Sequence, residues 1–292
     1  MGFKYSVVLA TLAMAGVDVW EKPREVLSLI ADLGFDAIDI DAEPDRIESR
    51  DFHNMVDMAR GMGLEIAELL GAWGSWHALE QRDLTSSDDA ARRYAVDYVK
   101  SCIDLSASIG GPVFQLGTVS FKFEYPISSV PRDVLHRNFL ASCKEIAEHA
   151  TKRDVPVAIE ALNRFEGYAG YMNTTGEALK VVAEVGEPSL GVLVDFFHAN
   201  IEDQPLCDVL RMAGEKMFHI HLADSNRQAP GTGHVDFLDV LRTLTNMGYS
   251  RYLALDCIPP RPDLPTFLER SLSFMKGLER AVELQGQLYE MY

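Results

Sequence analysis

The sequence predicts an α/β fold, a single-domain (β/α)8 TIM barrel spanning residues 1–292, and three observations predict it. Short β-branched runs alternate with longer amphipathic stretches along the whole chain, the pattern of repeated βα units around a parallel sheet. Eight such units fit within 292 residues, and no Gly-rich phosphate fingerprint of an open doubly wound sheet follows the first strand. The chain carries no low-complexity segment or linker, and its 47% apolar content suffices for one large core.

The first strand is "YSVVLA", residues 5–10. Its surroundings, "MGFKYSVVLATLAMAGVDVW", also have the shape of a secretory signal, with Lys4, an apolar run and small residues before Gly16. The barrel pattern claims the same residues as its opening strand. The helical run "EVLSLIADLG" ends at a stop glycine, Gly34, and leads to strand two, "DAIDID". Strand three is "LEIAELLG", followed by the long connection "GAWGSWHALEQRDLTSSDD" and the helix "AARRYAVDYVKSCIDLSASIG". Strand four, "PVFQLG", is followed by "GTVSFKFEYPISSVPRD" and the helix "LHRNFLASCKEIAEHATKRD". Strands five to eight read "PVAIEAL", "LGVLVDF", "MFHIHLA" and "YLALDC". The closing run "FLERSLSFMKGLERAVELQGQLYEMY" supplies the last helix and predicts a subunit contact, so a homo-oligomer is expected. Long loops on the C-terminal face of such a barrel cover substrate, and Trp73, Trp76, Phe121, Phe123 and Tyr125 in these two are costly to leave in water.

Charge narrows the partner. Lys plus Arg number 27 against 44 Asp plus Glu, a net charge of -17, which argues against a nucleic-acid-binding surface. The four cysteines form no CxxC pair, so neither a disulfide framework nor a zinc knuckle is expected and a reducing cytoplasm fits best. No apolar run reaches membrane-spanning length. A small neutral molecule, or an anion held by a few local groups, remains.

Four strands in succession end on a side chain that can hold a metal: Glu160 in "VAIE", Asp195 in "VLVD", His221 in "HIH" and Asp256 in "LALD". Neighbouring strand ends converge on the barrel mouth. Three carboxylates and one imidazole make a hard, oxygen-rich site that suits one divalent ion, Mn²⁺ first and Co²⁺ or Mg²⁺ next. A lone acidic residue at a strand end reads as a helix cap or ion-pair partner; four at matched positions read as a metal centre. His219 shares the strand face of His221 about 6.6 Å deeper, two strand residues away, and reads as a polar layer below the site. Cys257, one residue past Asp256, points towards the surrounding helices. His77 reads as a loop residue near the mouth, and His53, His136 and His149 fall on helical stretches.

The runs "IEALNRFEGY", "VDFFHANIED" and "HIHLADSNRQAPGTGHVDF" resemble the sugar isomerases and epimerases of the xylose-isomerase-like superfamily, most closely the ketose 3-epimerases. Carried over position by position, the resemblance implies that Glu160, Asp195, His221 and Asp256 hold the metal. It implies that Glu166, His198 and Arg227 grip the carbohydrate substrate, and that Glu160 and Asp256, on opposite sides of the metal, are the acid/base pair. The chemistry is consistent: a proton beside a ketone is too weakly acidic for a carboxylate unless a divalent ion stabilises the enediolate left behind. An unphosphorylated sugar is expected, because the motif regions offer few basic groups, chiefly Arg164, Arg227 and Lys122. The Gly231-Thr232-Gly233 turn is expected to allow close backbone approach, with a small anion nest as the alternative.

One position departs from the resemblance. The family carries Glu where this chain has Asp256, and the missing methylene withdraws the carboxylate by about 1.5 Å. A one-base reaction is therefore the alternative, a lyase or dehydratase acting on a keto-sugar, keto-cyclitol or 3-keto-glycoside. A histidine-rich trinuclear endonuclease on the same barrel is disfavoured by the charge.

Overall fold

A computed structural model describes residues 2–12, 16–42, 49–70, 82–117, 130–165, 171–203, 205–258 and 262–290. The eight expected strands are all present: β1 Lys4–Val8, β2 Ala37–Asp41, β3 Glu65–Leu70, β4 Val113–Leu116, β5 Val157–Glu160, β6 Leu190–Asp195, β7 Met217–Leu222 and β8 Tyr252–Leu255. They close in sequence order into a barrel. All neighbours run parallel, and β1 pairs with both β2 and β8. Within the stretch that has the shape of a signal segment, Lys4–Val8 form the barrel strand β1. Among the described residues no helix is long and apolar enough to cross a membrane.

The outer ring is helical: α1 Leu9–Leu12, α2 Pro23–Leu33, α3 Ser49–Gly61, α4 Asp89–Ser108, α5 Arg132–Arg153, α6 Thr175–Val185, α7 Phe196–Glu202, α8 Leu206–Ala213, α9 Phe237–Met247 and α10 Leu264–Glu290. Sequence signals for their ends are realised in the geometry. Asp88 caps α4 by accepting from the amides of Ala90 and Ala91. Thr174 and Glu177 form a reciprocal capping box on α6, which satisfies two otherwise orphaned groups. Gly34 closes α2 at φ 89°, a left-handed conformation that costs glycine little. His53 lies on α3, and His136 and His149 lie on α5, where they meet Glu184 and Asp104.

Two register shifts decide what the barrel interior contains. Along β2 and β3, Ile38 pairs with Ile66 but Asp39 pairs with Glu68, so Ala67 is skipped. Along β6 and β7, Val192 pairs with Met217 but Leu193 pairs with His219, so Phe218 is skipped. A strand alternates faces with period two, so one extra residue reverses every side chain beyond it relative to the neighbouring strand. The second shift sets His221 opposite Asp195. The extra residue, Phe218, packs with Val113, Ala158 and Leu193. Gly191 makes this possible: a Cβ there would come within 2.7 and 2.8 Å of the Phe218 ring and still closer to the Lys216 carbonyl.

Candidate metal and substrate site

Each of the four strand-end residues is at least 95% buried, at 1% exposure for Glu160 and His221, 2% for Asp195 and 5% for Asp256. Their atoms converge on His221 Nδ1, which has Asp256 Oδ2 at 3.7 Å, Glu160 Oε1 at 3.8 Å and Asp195 Oδ2 at 3.9 Å. The sequence assembled this set from strand ends alone, and the geometry brings all four together.

Each carboxylate is also held from behind. Asp195 caps α7: its Oδ1 accepts from the amides of Phe197 at 2.7 Å and His198 at 3.1 Å. One oxygen of Asp195 thus caps the helix, and the other, Oδ2, faces His221. Glu160 Oε2 accepts from the side-chain amide of Gln115 on β4, which leaves Oε1 towards His221 and His198. Asp256 Oδ2 receives Arg227 Nη2 at 3.5 Å.

Burial and mutual repulsion dominate the electrostatics. Desolvation first, and then the Asp256 charge, push the Asp195 carboxyl up to about 7. Glu160 is raised well above the ordinary carboxylate range by desolvation and then by Asp195, Asp256 and Glu68, with Arg227 opposing. Crowded anions in a dry pocket call for a counter-charge. Asp195 Oδ2 and His221 Nδ1 are buried with no hydrogen-bond partner, a costly condition unless something else binds them. Donors held about 2.2 Å from a tetrahedral ion lie roughly 3.6 Å apart, close to the 3.7–3.9 Å observed. The donor set therefore fits a divalent ion: Asp195–His221–Asp256 has metal-competent composition and spacing, as has Glu160–Asp195 together with the neighbouring His198.

His198, on the first turn of α7, receives Asn163 N at 3.2 Å and Asn163 Nδ2 at 2.7 Å, both on Nδ1. Both asparagine nitrogens are donors, so Nδ1 accepts and the proton sits on Nε2. Desolvation, with the Arg227 and His221 charges adding to it, lowers the His198 pKa. The ring is thus a neutral donor whose Nε2 lies 3.9 Å from Glu160 Oε1.

Arg227 adopts φ 58°, uncommon for a residue with a Cβ. Its backbone is clamped by Asp224 O and Ile258 N at 2.8 and 3.0 Å, and its guanidinium lies 5.0 Å from the Phe197 ring centre. The loop carrying it is organised by Asp224, which accepts from the amides of Ser225 at 2.7 Å, Gly231 at 2.8 Å and Val235 at 3.1 Å. A Cβ at Gly233 would collide with Asp224 and Ser225, and one at Gly231 with Phe274. The close approach expected of the Gly-Thr-Gly turn is real, but its partners are protein groups. The anion in the nest is Asp224 itself.

Arg164, expected among the basic groups near the mouth, is paired with Glu202 through several bonds of 2.7–3.3 Å. Cys257 is buried among core residues as alternation predicted. Glu166, His77, Trp73, Trp76, Phe121, Lys122, Phe123 and Tyr125 lie outside the described residues. Sequence reasoning missed Gln115, Asn163, Asp39 and Glu68. The signal was there for the first and last two, polar residues inside otherwise apolar strands, which must find partners when buried.

Comparison with known proteins agrees with this architecture. The family model described as xylose isomerase-like TIM barrel matches residues 27–278. A D-psicose 3-epimerase of Enterocloster bolteae is 26% identical over 259 residues, covering 85% of this chain and 80% of its own. A 3-dehydro-D-guloside 4-epimerase of Escherichia coli is 24% identical over 242 residues, covering 81% and 87%. The crystal structure of a D-psicose 3-epimerase with D-tagatose from Clostridium cellulolyticum superposes with a TM-score of 0.79 at 21% identity, over 96% of this chain and 99% of that one.

Proposed function

This chain belongs to the xylose isomerase-like TIM barrel family, and on that premise we propose that it is an isomerase, a divalent-metal-dependent epimerase of an unphosphorylated keto-sugar. The observation that carries the reading is the buried His221 Nδ1, without a hydrogen-bond partner and ringed by oxygens of Glu160, Asp195 and Asp256. The names of the curated relatives, 3- and 4-epimerases of sugars, support epimerisation over other proton-transfer reactions.

Glu160, Asp195, His221 and Asp256 hold the ion, for which Mn²⁺ is the first candidate. When bound, it supplies the positive charge that stabilises the negative charge developing beside the breaking C–H bond. Glu160, oriented by Gln115, takes the proton from the carbon next to the carbonyl, and Asp256 returns one to the opposite face. His198 donates its Nε2 proton to a substrate oxygen. Arg227, held near Asp256, binds another, and Glu166 completes the grip on the hydroxyls. Asp256 is the member that favours the second reading, elimination by a lyase or dehydratase, because its shorter reach suits a one-base reaction.

Incubation of metal-loaded protein with a panel of free ketoses in D₂O, followed by NMR, tests both. Deuterium entering beside the carbonyl together with a new epimer is the expected result. An unsaturated or dehydrated product from a keto-cyclitol or 3-keto-glycoside, without epimer, refutes epimerisation in favour of elimination.

A further inference from the structure

Below the carboxylates lies a buried layer that the chemistry above does not use. Ser6 of β1, Asp39 of β2, Glu68 of β3 and His219 of β7 have no exposure at all. His219 Nε2 lies 2.8 Å from Asp39 Oδ2, and Ser6 Oγ donates to Asp39 Oδ1 at 2.5 Å. His221 Nε2 lies 2.9 Å from Glu68 Oε2. The crossed distances are long, 3.8 Å from His219 Nε2 to Glu68 and 3.9 Å from His221 Nε2 to Asp39. The two rings meet edge to face, 5.4 Å apart at 85°.

Asp39, Glu68, His219 and His221 have the composition of a metal centre in their own right. Their donor atoms are nevertheless already committed to one another. Separations of 2.8 and 2.9 Å are those of hydrogen bonds, and an ionised carboxylate can only accept. Where these carboxylates are ionised, each imidazole gives its Nε2 proton to one of them; burial pushes the Glu68 carboxyl up and the neighbouring His219 opposes it.

We propose that Glu68 is a positioning residue for the metal: by accepting the His221 Nε2 proton it fixes the tautomer that presents a bare Nδ1 to Glu160, Asp195 and Asp256. Flipping the ring would exchange Nε2 for a carbon, break the Glu68 bond and withdraw Nδ1 from the site. The Asp39–His219 pair, anchored by Ser6, sets the second ring edge-on against the first and leaves that flip little room. A carboxylate behind a ligating histidine also raises its basicity, and losing such a partner typically lowers metal affinity about 10–100-fold. The register shift that pairs Asp39 with Glu68 is what delivers the second strand's contribution. This inference rests on the metal reading of the proposed function.

Two measurements test it without assaying turnover. In chelator-treated wild-type protein, ¹⁵N NMR of the His221 ring, assigned with His221→Gln, should show the proton on Nε2; a proton on Nδ1 overturns the proposal. Calorimetric titration with Mn²⁺ should give one ion per chain. The dissociation constant should rise about 10–100-fold in Glu68→Leu and less in Glu68→Gln, which keeps an acceptor. A folded Glu68→Leu protein with wild-type affinity overturns the proposal and leaves the metal reading intact. Two ions per wild-type chain, falling to one in Glu68→Leu, also overturn it and make the lower layer a second metal centre. Wild-type protein that binds no divalent ion refutes the metal reading itself.

Discussion

Gly191→Ala adds one methyl group at the base of β6, 2.7 and 2.8 Å from the Phe218 ring and closer still to the Lys216 carbonyl. Rotation of Phe218 relieves only the first clash, because its ring is packed against Val113, Ala158 and Leu193. The carbonyl belongs to the backbone and moves only with the start of β7. Overpacking a dense interior costs roughly 1–3 kcal/mol, and a backbone clash belongs at the upper end. For a chain of this size each 1 kcal/mol lowers the melting temperature by about 2 °C, so a loss of about 6 °C is expected. The displaced strand carries His221, so Mn²⁺ affinity should fall in the same variant although the substitution lies outside the site. Thermal melts with and without Mn²⁺ read both effects. Adding Phe218→Leu should restore part of the loss, since it removes the ring clash and leaves the carbonyl clash. A Gly191→Ala protein that melts and binds metal like wild type would refute the claim that this register shift depends on a bare α-carbon.

Asp195→Asn should leave α7 capped, because the amide oxygen can still accept from Phe197 and His198, while removing a charged donor from the site; calorimetry should show metal binding lost and circular dichroism an unchanged helix content. Arg227→Gly should fold well, since glycine takes φ 58° without the roughly 1–2 kcal/mol strain that a Cβ brings, yet lose kcat/KM; an unaffected kcat/KM would remove Arg227 from substrate binding. In chelator-treated protein the carboxyls of Asp195, at about 7, and of Glu160 stand above their unfolded values. The folded state then holds more protons than the unfolded one, so this contribution to stability is complete below the unfolded carboxylate pKa and is lost as pH rises through about 7. Metal-free melting temperatures should therefore fall between pH 5 and pH 8 by comparison with metal-loaded protein, in which the ion competes with those protons; parallel pH profiles would show that the carboxyls are not shared with an ion.

The barrel was legible because its strands are buried on both faces, and such strands read as nearly continuous apolar runs ending in polar groups. Glu160, Asp195, His221 and Asp256 stood out because each breaks its run at the same place. His219 was legible too, since two residues along a strand share a face. Its partners were not, because which residues of β2 and β3 face one another depends on the shift between Ile38 and Asp39, and no turn or glycine in the sequence marks it. Asn163 escaped for another reason. It follows its strand in a loop, and its service to His198 depends on where α7 begins, which Asp195 sets. The Gly-Thr-Gly run was read correctly as a place of close approach but not as the cradle of a residue seven positions upstream of Gly231.

That cradle bears on selectivity. The amides of Ser225, Gly231 and Val235 are directed at the Asp224 carboxylate, so the three backbone donors that a phosphate ester would seek are already filled by a resident anion. The Asp224 carboxylate has no exposure, so a phosphate would reach these amides only by displacing it and unravelling the loop that carries Arg227. The turn is thus closed to phosphate by occupancy, which accords with the unphosphorylated substrate proposed above.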